Sequence, residues 1–88
     1  MDSGLEVLRN QIDELNLKLV KILNERASCA LKIAEFKKSH GLPVYDPVRE
    51  RIVLENVIQH NQGPFNDAAL RGIFKRIMTA HRKLEEEA

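Results

Sequence analysis

The sequence predicts an all-α fold of three helices with a very long first helix. Three observations carry that prediction. No Gly or Pro occurs between Gly4 and Gly41, apolar residues there recur in steps of three and four, and no alternating strand pattern appears in the 88 residues.

In the first helix Leu5, Leu8, Ile12, Leu15, Leu19 and Ile22 form one stripe. Continuing the step reaches Arg26, then Cys29, Ile33 and Phe36, so the stripe carries a cation in its middle. A second line through Val20, Leu23, Ala27, Ala30 and Ala34 widens the face expected to be buried and offers small residues for close helix approach. About 35 residues at a rise of about 1.5 Å give a helix of roughly 52 Å. A compact chain of this length has a radius of gyration near ~12 Å, so such a helix projects far beyond a single chain. Dimerisation along it is the expected remedy. A folded chain this short hides only about 60 to 65% of its unfolded surface and depends on a disulfide, a metal or a partner chain. Cys29 is the single cysteine and cannot form an internal disulfide.

His40-Gly41-Leu42-Pro43 reads as a helix stop, and Asp46-Pro47 as an N-cap followed by proline at the first helical position. The second helix is predicted from Pro47 to about Asn61. Asn61-Gln62-Gly63-Pro64 is turn chemistry, and Phe65-Asn66 with Leu70 fits a hydrophobic staple around an Asn66 cap. The third helix is predicted from about Asp67 to the end. There Leu70, Ile73, Ile77, Ala80 and Leu84 keep the three-four step, with Phe74, Met78, His81 and Glu85 on an adjoining line.

Fourteen Lys and Arg against thirteen Asp and Glu leave a net charge of +1, so no bulk field points to nucleic acid or an anionic membrane. The basic residues Arg71, Lys75, Arg76, Arg82 and Lys83 sit on a helix that also needs a buried face and ends in Glu85-Glu86-Glu87. Uninterrupted hydrophobic runs reach three residues, which excludes a membrane span and a signal-peptide core. The chain reads as soluble and cytoplasmic, and the unpaired thiol agrees.

Arg26 and Lys37 are eleven residues apart, about 20° from the same helix face and about 16 Å along the axis. Leaning toward each other they would bracket an anion; alternatively Arg26 pairs with a carboxylate and Lys37 snorkels. Arg9 lies roughly 25 Å from Arg26 and cannot share its site within one chain. In an antiparallel dimer it would enter the partner's site, and otherwise it is a solvated residue near the helix start. Asp46, Arg49 and Glu50 share the entrance of the second helix, either as a cap beside a solvated pair or as a cluster for a ligand bearing hydroxyls and carboxylates. His81 and Glu85 form the exposed end of their line or the wall of a pocket. Cys29 reads as a packed small hydrophobe. His40, His60 and His81 lack metal-ligand spacing, and no glycine-rich phosphate loop is present.

Leu8-Arg9, Ile12-Asp13-Glu14-Leu15-Asn16, Asn24-Glu25-Arg26, Ile33-Ala34-Glu35-Phe36-Lys37 and Val44-Tyr45-Asp46-Pro47-Val48-Arg49-Glu50 resemble the all-helical class of chorismate mutases, without a gap from Arg9 through Glu50. The Asn61-Gln62-Gly63-Pro64-Phe65 loop and Phe74-Lys75 look more like the subgroup fused to the N-terminus of a 3-deoxy-arabino-heptulosonate 7-phosphate synthase. Under that resemblance, residues 1–88 form a single domain belonging at the start of a larger bifunctional chain.

The resemblance implies an intertwined homodimer with two shared sites that rearrange chorismate to prephenate without a cofactor. Arg26 and the partner's Arg9 would bind the two carboxylates, and Lys37 would donate to the ether oxygen. Glu50 and the backbone at Asp46 would hold the ring hydroxyl, with Arg49 lining the pocket. His81 falls where the family often has a small hydroxyl residue, and Glu85 where many members have Gln. A carboxylate at that place would repel charge growing on the ether oxygen, so the protonated acid is the expected active form of Glu85. The competing expectations are a weakly active or non-catalytic regulatory domain binding the same ligands for a fused synthase, and a plain helical dimerisation module.

Overall fold

The computed structural model describes residues 3–88. Three helices follow in order, α1 (Ser3–Ser39), α2 (Pro47–Gln59) and α3 (Asp67–Glu87), and no strand occurs among the described residues. The all-α expectation and the dominant first helix both hold.

Each helix boundary has a local cause. α1 ends in a Schellman motif: Leu42 N–H donates to the Lys37 carbonyl at 2.8 Å and Gly41 N–H to the Lys38 carbonyl at 3.4 Å. That closure needs a left-handed residue, and Gly41 supplies it at φ +67°. At the start of α2 the Asp46 side chain accepts from Arg49 N–H at 3.0 Å, ahead of Pro47 in the first turn. α2 stops at Gln59, two residues before the expected end, because Asn61 is spent on the loop. Its amide donates to the Phe65 carbonyl and to Asp67, each at 2.9 Å, and its oxygen accepts from Gly63 N–H at 3.1 Å. α3 opens on Asn66, whose side chain accepts from Ala69 N–H at 2.8 Å. Phe65, the expected staple, stands 55% exposed.

α3 is the central element, packing against both α1 and α2. The buried apolar residues are Ala34, Leu54 and Met78, one from each helix, with His81 buried beside them. On two helices the structure shows which line faces inward. On α1 the line through Leu23, Ala27, Ala30 and Ala34 packs against the chain's own body, while the more regular stripe stays open, with Leu8, Ile12 and Leu15 all above half exposed. On α3 the line Phe74, Met78, His81 and Glu85 is the one turned inward, so His81 is not an exposed end.

The molecule measures 60 × 26 × 16 Å with a radius of gyration of 16.6 Å, well above the ~12 Å of a compact chain this size. Its accessible surface is 7284 Å². A compact monomer of this mass would expose roughly 5,300 Å². The excess lies along the first half of α1, where every described residue through Ile22 is exposed.

Candidate active site

A cavity of about 300 Å³ lies where the C-terminal half of α1, the start of α2 and the end of α3 converge. That volume is at the small end of the range for ligand sites. Its walls include Arg26, Lys37, Asp46, Arg49, Glu50, His81, Arg82 and Glu85. Arg26 and Lys37, three turns apart on α1, therefore open into one space.

Lys37 is fixed by both its ends. Its carbonyl closes the Schellman motif, and its ammonium donates to the Val44 carbonyl at 3.3 Å. An ammonium has three N–H donors, so two remain for a ligand. The Arg26 and Arg49 guanidinium groups make no hydrogen bond or ion pair to any described residue. The cavity thus presents two unpaired guanidinium groups and a tethered ammonium on a lining that is otherwise largely apolar, a setting for a small organic anion.

The carboxylates are more constrained. One Asp46 oxygen caps α2. Glu50 does not form the solvated pair with Arg49 that its position suggests. Arg82 of α3 takes it instead, with Nη1 at 2.7 Å from both carboxylate oxygens. This is the one ion pair among the described residues. Arg82 also donates through Nη2 to Thr79 at 3.2 Å and lies over the Tyr45 ring at 4.8 Å. Sequence reading named Arg82 only among the basic residues of α3 and missed its part in the cavity. Its spacing of four from Met78 and three from Glu85 is the signal that places it on the inward side.

His81 is 8% exposed, and its Nδ1 lies 2.6 Å from the Ile77 carbonyl. A carbonyl only accepts, so Nδ1 carries the proton, and when the ring is neutral Nε2 presents a lone pair. Nε2 is buried with no partner. Such a group costs about 1–3 kcal/mol until a donor reaches it. Glu85 is half-buried in the cavity wall, and its carbonyl accepts from the Lys38 ammonium at 3.3 Å. That contact ties the last turn of α3 to α1. Cys29 is not packed as expected: it is exposed and lines the cavity. Arg9 lies on the exposed early part of α1, seventeen residues from Arg26 and outside the cavity. Among the described residues, no three His, Cys, Asp or Glu side chains gather to hold a metal ion.

Comparison with known proteins adds the family. The family model for chorismate mutase type II matches residues 8–86. A bifunctional chorismate mutase/prephenate dehydratase of Aquifex aeolicus is 36% identical over 87 residues, covering 94% of this chain and 24% of that protein. The chain thus spans about a quarter of the length of the bifunctional relatives it matches. A chorismate mutase of Methanocaldococcus jannaschii is 38% identical over 57 residues, covering 65% of this chain and 58% of that protein. Among solved structures, chorismate mutase (form II) of Thermus thermophilus superposes with a TM-score of 0.94 at 36% identity, covering 96% of each chain. Chorismate mutase of Helicobacter pylori in complex with prephenate gives 0.89 at 36% identity, covering 98% of this chain and 93% of that one. With a matching family model over nearly its whole length, this chain belongs to the chorismate mutase type II family.

Proposed function

We propose that this chain converts chorismate to prephenate by an intramolecular Claisen rearrangement, as an isomerase of aromatic amino-acid biosynthesis. One observation carries the reading: Arg26, Lys37, Arg49 and Glu50 open into a single cavity in a member of this family. The reaction breaks the ether C–O bond as a C–C bond forms within the same molecule. It asks for a folded conformer of a dicarboxylate and for a donor where negative charge grows on the ether oxygen. Arg26 binds one carboxylate, and Arg9 of a second copy binds the other. Lys37, already held at the Val44 carbonyl, donates to the ether oxygen. Glu50 and the Asp46 backbone hold the ring hydroxyl, because the Asp46 side chain is engaged as a cap. Arg49, His81 and Glu85 complete the wall.

The working unit is a homodimer formed along α1. The surface excess, 7284 Å² against roughly 5,300 Å² for a compact monomer, is about 2,000 Å² per chain, which suits an obligate dimer interface. Residues 1–88 act as one domain, with a cytoplasmic setting supported by the unpaired Cys29. A bifunctional context is supported by the relatives whose names join the mutase to prephenate dehydratase. The narrower likeness to the subgroup fused to 3-deoxy-arabino-heptulosonate 7-phosphate synthase rests on the Asn61–Phe65 loop and Phe74-Lys75 alone. The test is loss of chorismate with matching appearance of prephenate on the purified chain. Binding of prephenate without turnover would leave a regulatory domain, and neither binding nor turnover would leave a dimerisation module.

A further inference from the structure

We infer that Arg82 is a positioning residue that acts through Glu50, holding its carboxylate toward the ring hydroxyl and away from the cavity's cations. The inference rests on the proposed mutase reading, in which Glu50 holds that hydroxyl.

Arg82 is restrained on three sides. Its Nη1 stands 2.7 Å from each Glu50 oxygen, its Nη2 donates to Thr79 at 3.2 Å, and its plane lies 4.8 Å over the Tyr45 ring. Thr79 can accept because its own proton goes to the Lys75 carbonyl at 2.9 Å. A guanidinium fixed in this way sets one nitrogen, Nη1, against both carboxylate oxygens. Each oxygen keeps a second lone pair, which is what a hydroxyl donor requires. Without Arg82, Glu50 shares its cavity with Arg49, its neighbour on α2, and with Lys37. It would turn onto one of them and neutralise a cation the dianionic substrate needs. Arg82 therefore keeps an acid available for the hydroxyl and keeps that acid from quenching the binding cations.

The test is a double-variant cycle of Arg82→Met and Glu50→Gln, read both by steady-state kinetics and by calorimetric binding of prephenate. Hydroxyl recognition is made in the ground state as well as the transition state, so the loss falls mainly on KM. Arg82→Met is expected to lower kcat/KM by about tenfold or more, the range for a hydrogen bond to a charged group. Adding Glu50→Gln to that variant is expected to cost nothing further or to restore part of the loss, since the stray carboxylate is gone. Losses that multiply, or an Arg82→Met variant with unaltered KM and prephenate affinity, overturn the inference. Should the Met variant fail to fold by circular dichroism, Arg82→Lys carries the same cycle, because an ammonium that reaches Glu50 has no second nitrogen for Thr79 and no planar group to lay over Tyr45. If the unaltered chain binds prephenate without turnover, the mutase reading falls and the binding cycle still decides the role of Arg82. If it does neither, both fall.

Discussion

If Arg9 serves the site of a partner chain, two crippled variants should repair each other. Arg9 and Arg26 lie seventeen residues apart on one continuous helix, about 25 Å along its axis, several times the reach of an arginine side chain. Removing either arginine from a carboxylate contact costs about 2–5 kcal/mol, which leaves each homodimer of Arg9→Ala or Arg26→Ala with roughly 3% of the original activity or less. Random exchange between equal amounts of the two makes half of the dimers mixed. In a two-fold symmetric dimer each mixed pair has one site with both arginines and one with neither, so about a quarter of all sites are whole. The expected recovery is therefore about a quarter of the activity of the unaltered chain, well above either variant alone. Chorismate loss followed by absorbance reads it, with mixed dimers counted by native mass spectrometry of differently tagged chains. Activity that stays at the average of the two variants while mixed dimers are present would refute the shared site.

Further outcomes follow from the same geometry. Lys37→Ala should lower kcat by about a hundredfold or more with a smaller change in KM, since the ether oxygen bears charge mainly in the transition state; a rise in KM alone would make Lys37 an ordinary binding residue. An ionised Glu85 carboxylate would oppose the charge growing on that oxygen, whereas a neutral amide in its place donates to it. Glu85→Gln should therefore raise kcat/KM at neutral pH, and an unchanged kcat/KM would remove Glu85 from the chemistry. The exposed stripe on α1 ties stability to association, so a hundredfold increase in protein concentration should add about 2.7 kcal/mol and raise Tm by several degrees. A constant Tm together with monomeric sedimentation would remove the dimer.

The sequence was most legible where the cause of a feature is local. The Asp46 and Asn66 caps, the Gly41 stop and the long uninterrupted periodicity of α1 all act within a few residues, and each appears where expected. Arg26 and Lys37 were also legible, because eleven residues on one rigid helix fix their relative direction. Tertiary pairing was less so. Glu50 finds Arg82, thirty-two residues away, over the nearer Arg49, because α3 packs against α2 and brings Nη1 of Arg82 to both carboxylate oxygens. For His81 the sequence left an exposed end and a pocket wall both open, because the residue is close to the C-terminus. It is buried because the second half of α1 crosses that end of α3, as the Lys38–Glu85 contact marks.

The first half of α1 exposes all its described side chains through Ile22, so the chain's own core places almost no demand on their identity. Under the proposed dimer that segment answers only to the opposite copy, to whose cavity it hands Arg9, while the rest of the cavity's chemistry is written in the later half of α1 and in α2 and α3. Arg9 apart, recognition between chains and handling of substrate are then separable in the gene. Complementary changes among Leu8, Ile12, Leu15 and Leu19 could make two versions pair only with each other. Each would then carry a cavity of its own specification, giving an asymmetric enzyme whose two halves are tuned independently.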